Sequence, residues 1–166
     1  MQQAISFMLN NLPFVILVVA ILLPTLSRRN FAKKLCNSLF ILAVGATGIW
    51  EFVHHIYSPM PAVGFNSWYD SKFEPQVAII NLAFAISGIV AAFAPKSFKA
   101  SVALMQTVYL WGIAINQVQH VMVSGNNNFE FSSLGYIFIT NCITPILLWL
   151  SLLIVQLSPT HEDYIR

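Results

Sequence analysis

The residues best able to do chemistry are packed into Ile49-Trp50-Glu51-Phe52-Val53-His54-His55-Ile56-Tyr57. On a helix, Glu51 shares a face with His54, three residues on, and with His55, four on. Farther along, Asn116 and Gln117 stand four and three residues before His120. Glu-x-x-His is the spacing that carboxylate-bridged di-metal helices use. A full site of that kind needs a second Glu-x-x-His and two more glutamates. Here the second motif would be Gln117-x-x-His120, and only Glu74 is on offer, so the di-iron reading is incomplete. A mononuclear site built from Glu51, His54 or His55, and His120 is chemically sound for zinc, iron or copper. Haem held by His120 and one of the paired histidines is a second arrangement of the same groups. The plainer alternative is that these groups bond one another as glue between helices, with Glu51 protonated by burial.

What must position them is set by composition. Of 166 residues, 57% are hydrophobic and 8% charged, with mean hydropathy +0.72. Soluble domains carry about a quarter charged residues, so a chain this poor in charge belongs in a bilayer. A net charge of +2 gives no footing for nucleic acid. There are five apolar stretches, at about 4–27, 35–57, 75–94, 100–123 and 134–157, each long enough to span. The first has no Lys or Arg before it and no A-x-A-like site after it, so it reads as a retained span rather than a signal peptide. The expected fold is one all-α domain, a bundle of five membrane helices.

Small residues at Ala43 to Gly48, and Ala83, Ser87 and Ala91 at four-residue intervals, predict close helix packing. Cys36 and Cys142 fall near opposite faces and are expected to be unpaired. Arg28, Arg29, Lys33 and Lys34 occupy the first connection, and Lys96 and Lys99 the third. The positive-inside rule then places both connections in the cytoplasm, with the N-terminus outside and the C-terminus inside. Under that topology Glu51, Asn81, Asn116 and Asn141 each lie six or seven residues from the outer end of a different span, or ~9 Å deep. The inner halves hold almost nothing comparable. His54, His55, Gln117, His120 and Gln76 lie above that layer, and a loop with Trp68 and Tyr69 would roof it. The expectation is a polar pocket between helices, open to the outer face.

One stretch runs Ala62-Val63-Gly64-Phe65, then Ser71-Lys72-Phe73-Glu74-Pro75-Gln76-Val77-Ala78-Ile79-Ile80-Asn81-Leu82. It resembles a Ser-Pro-Phe-Gln-x-Glu-Val-Gly-Phe-Ala-Asn-Leu pattern from a family of small bacterial membrane proteins known only as a domain of unknown function. Val108-Tyr109-Leu110-Trp111-Gly112-Ile113-Ala114-Ile115, and Gly125-Asn126 followed by Gly135 and Pro145, are similar to that family's later motifs. Glu74 and Gln76 appear exchanged relative to the pattern, and Gln117 stands where its histidine is expected. The resemblance implies a bacterial inner (plasma) membrane and supplies no activity.

The leading function expected is binding of a metal ion, haem or small polar ligand. Glu51, His54, His55 and His120 would be the ligands, and Asn81, Asn116, Gln117, Asn141, Glu74 and Gln76 would line the pocket. One alternative is a small transporter or proton-coupled permeation subunit, with Glu51 as the relay. Another is a structural accessory packing on a larger membrane complex through the small-residue faces of spans two and three. The partners expected are the bilayer and either further copies of the chain or such a complex. No phosphate loop follows a strand, and no Ser stands with a His and an acid, so hydrolase chemistry has no support.

Overall fold

The computed structural model describes residues 11–26, 30–57, 74–124 and 133–157, and these are helical almost throughout. Helix α1, Leu12–Leu22, tightens into a 3-10 turn at Leu23–Leu26. Helix α2, Phe31–Ser38, continues through a π-helical stretch, Leu39–Ala46, into α3, Thr47–Tyr57. Helices α4, α5 and α6 are Glu74–Phe93, Lys96–Ser124 and Ser133–Leu157. Among the described residues four helices are long and apolar enough to cross a membrane: Phe31–Tyr57, Pro75–Phe93, Lys96–Gln119 and Tyr136–Leu157. Leu12–Leu26 is apolar but shorter, and the rest of the expected first span, 4–10, lies outside the described residues. The chain is an all-α membrane bundle.

Two helix boundaries have simple causes. Asn30 turns the chain into α2 from a left-handed conformation (φ 57°), one that asparagine tolerates better than most residues. The link between α4 and α5 is shorter than the expected turn, only Ala94 and Pro95. Proline suits the entry to a helix, where its missing N–H costs nothing, so Lys96 to Lys99 become the first turn of α5.

Helices successive in the chain run antiparallel, giving the bundle two ends, marked by Tyr57 and by Lys99. Helix α3 packs most extensively on α4, and α5 on α6, with α1 set against the π-helical stretch and α6. Pro24 has no N–H for the Ala20 carbonyl one turn back. That carbonyl instead accepts from Ser38 Oγ at 2.9 Å, which ties α1 to α2. At the Lys99 end, Lys99 Nζ donates to Asn37 Oδ1 at 2.8 Å, tying α5 to α2.

The tightest crossing lies between residues 40–48 and α4. A Cβ on Gly48 would stand 2.7 Å from the Asn81 carbonyl oxygen, and one on Gly88 would meet Val44 Cγ1 at 2.6 Å. The expected small segment Ala43 to Gly48 does allow this approach. The stripe expected on α4 holds only at Ala91, which is buried. Ala83 is exposed and Ser87 half-buried, while Ala78, Asn81, Ala85, Gly88 and Ala92 are buried. Steps of three and four residues hold one face of a helix, whereas repeated steps of four drift around it. Those small faces of spans two and three are spent on each other.

The stretch Leu39–Ala46 contains Phe40, Leu39 and Val44, among the largest fully buried side chains of the described residues. It closes at Thr47, whose N–H and hydroxyl both go to the Leu42 carbonyl, five residues back. Cys36 and Cys142 are free thiols.

Candidate functional site

Close passage at Gly48 is what places the carboxylate. Glu51 lies three residues on, about one turn toward the Tyr57 end, on the side of the helix that Gly48 turns to α4. Its side chain is 29% exposed, and Oε2 lies 3.8 Å from His55 Nε2. That distance suits a charge contact but is too long for a hydrogen bond. His55 Nδ1 is buried with no hydrogen-bond partner among the described residues. The His54 ring stacks on Trp50 with centroids 6.0 Å apart and meets the His55 ring edge-on at the same separation.

The second helix of the site contributes Asn81, which is buried and accepts a hydrogen bond from the Tyr109 hydroxyl of α5 at 3.1 Å. The Tyr109 ring packs on Phe84 at 4.9 Å, which fixes the hydroxyl's direction. Tyr109 also lies within electrostatic range of Glu51. Three helices thus bring a carboxylate, an amide and a phenol to one level. Tyr109 was not among the expected site residues. A tyrosine in the middle of an apolar run is the available signal, since its buried hydroxyl must find a partner. Replacing Tyr109 with Phe keeps the ring on Phe84 and removes the donor. It is expected to cost about 1 kcal/mol in a denaturant titration in detergent, with the helical signal unchanged.

The remaining expected residues divide. Asn141 is buried on α6, and Gln117 is half-buried on α5, its Oε1 having no partner among the described residues. Asn116 and Gln76 are exposed. The side chains of Glu74 and His120 lie outside the described residues, as do the Trp68–Tyr69 loop and Asn126 to Asn128. Among the described residues no three His, Cys, Asp or Glu side chains group as metal ligands. Glu51 and His55 are the two such groups that an ion-pair distance brings together.

The expectation that the inner halves hold almost nothing comparable needs an addition. Ser38 and Ser151, in the halves nearer the Lys99 end, are buried polar residues, as are Gln106 and Thr144 closer to mid-helix. Ser38 and Ser151 are easily overlooked because their hydroxyls bond backbone carbonyls, those of Ala20 and Leu148. Trp149 Nε1 donates to Thr107 Oγ1 at 3.0 Å, while the Thr144 hydroxyl is buried without a partner among the described residues.

A helical membrane bundle with a carboxylate-bearing polar cluster between its helices is the class these features define. The chain belongs to the family of unknown function DUF6790, whose model matches residues 3–161. No curated protein and no solved structure matches it.

Proposed function

We propose that the protein is a membrane-embedded binding protein that holds a metal ion, free or carried in haem, at the Tyr57 end of the bundle. Glu51 supplies the negative charge, and His55, or His54 in its place, completes the ligand set with His120. Asn81, Tyr109, Gln117 and Asn141 orient the ligands, as outer groups do around bound metals. By the distribution of Lys and Arg, the site opens to the non-cytoplasmic side. One observation carries this reading: a carboxylate inside a membrane helix stands 3.8 Å from His55 Nε2, while Nδ1 of the same ring is buried and unpartnered among the described residues. Leaving a polar atom unpaired in a low-dielectric interior is costly. A ligand that takes up both groups would remove that cost.

Elemental analysis and an absorption spectrum of full-length protein in mild detergent test it. The expected result is a near-stoichiometric metal, with a Soret band if haem carries it. Protein that is folded, empty and unchanged in thermal midpoint on adding zinc, ferrous or cupric ions would end the proposal.

A further inference from the structure

The Lys99 end of the bundle, remote from the Glu51 site, gathers positive charge from two separate parts of the chain. Lys33 and Lys34 lie on the first turn of α2, and Lys96 and Lys99 on that of α5. The bond from Lys99 Nζ to Asn37 Oδ1 holds these two turns at one end. Asn37 is neutral, so it fixes the ammonium in place without cancelling its charge, and it engages one of three donors. Neither first turn contains an acidic residue. The acidic positions among the described residues, Glu51 and Glu74, lie on α3 and at the start of α4, toward the opposite end. Positive charge at the edge of an apolar bundle, with Lys99 held in place by Asn37 and Glu51 toward the other end, suits an anion.

The surroundings narrow the kind of anion. Phe31 and Phe98 flank the lysines in sequence and are each 39% exposed. Aromatic side chains beside cations at a helix end suit the boundary between headgroups and acyl chains. We infer that this end binds a phosphate-bearing anionic lipid, its headgroup among Lys33, Lys34, Lys96 and Lys99 and its acyl chains along Phe31 and Phe98. Basic pockets between membrane helices recognise such headgroups by charge. Lys99, oriented by Asn37, is the central contact.

Full-length protein in mild detergent is titrated with phosphatidylglycerol or with phosphatidylcholine of the same chains, and bound lipid is counted by native mass spectrometry. The wild type is expected to prefer phosphatidylglycerol by about tenfold or more. The preference should vanish in K33Q/K34Q/K96Q/K99Q and fall severalfold in Asn37→Ala, with thermal midpoints reported for each. If the quadruple variant does not fold, K33Q/K34Q and K96Q/K99Q are each expected to lose part of the preference. Equal retention of both lipids by wild type, or an undiminished preference in folded lysine variants, overturns the inference. Displacement of the lipid by millimolar inorganic phosphate would make this a free-anion site and overturn it too. Glu162 and Asp163 come after α6, beyond the described residues. If lipid bound only to E162Q/D163N, the chain's own tail would be the occupant and the inference would fail.

Discussion

Gly48→Leu is expected to be the most damaging single change in the bundle. Its first added atom would fall 2.7 Å from the Asn81 carbonyl oxygen and 3.0 Å from both Cβ and N of Ala85. Two of these three are backbone atoms of a hydrogen-bonded helix, which cannot turn aside as a flexible side chain can. Forcing extra atoms into a packed contact costs about 1–3 kcal/mol, and a full leucine here belongs at the top of that range. The setting sharpens the effect. Inside a bilayer, lipid tails are as apolar as the helix surface, so association relies on packing and hydrogen bonds. Losing the close approach of α3 and α4 also moves Glu51 away from Asn81. Gly112→Leu is the control, because a Cβ there would meet nothing within 4 Å. Thermal unfolding in detergent should show a large drop for Gly48→Leu and little change for Gly112→Leu. Equal midpoints would mean that the crossing is not close.

Glu51→Gln should have the largest effect on binding and a small one on stability. The two side chains have nearly the same shape, and the substitution removes only the charge and one oxygen. At 3.8 Å the contact with His55 is not a hydrogen bond, so little native bonding is lost. A carboxylate is costly to keep ionised in a low-dielectric interior, and its neutral amide isostere avoids that cost. Groups that merely support a metal's ligands cost 10–100-fold when removed, so loss of the anionic ligand itself should weaken binding by about 10²-fold or more. Metal content after purification, with the unfolding midpoint beside it, separates the possibilities. A variant that keeps its metal but loses stability would make Glu51 a structural residue instead.

The length and hydrophobicity of the helices were legible, and α4, α5 and α6 begin and end within a few residues of the apolar runs. The close approach at Ala43 to Gly48 was legible too, because a run of small residues lets two helix backbones come together. Direction around the helix axis was not. Asn116 and Asn141 are both seven residues from an expected span end, yet Asn116 is exposed and Asn141 buried. Depth is read by counting residues, but the bearing of a side chain depends on which neighbour the helix meets. The stripe on α4 missed at Ala83 and Ser87 for the same reason, since small residues occupy several of its faces. Nothing in Leu39-Phe40-Ile41-Leu42-Ala43-Val44-Gly45-Ala46 announces π geometry, which depends on hydrogen bonds reaching five residues back.

That stretch has a consequence for the residues beyond it. A π turn takes in at least one residue more than an α turn, and each extra residue rotates the remainder of the helix by about 100°. The compass heading of Glu51 is therefore written by eight residues with no functional group among them. Shortening that passage by a single aliphatic residue would swing the carboxylate off its course toward Asn81 and Tyr109. In this helix the rudder and the cargo are different parts of the sequence.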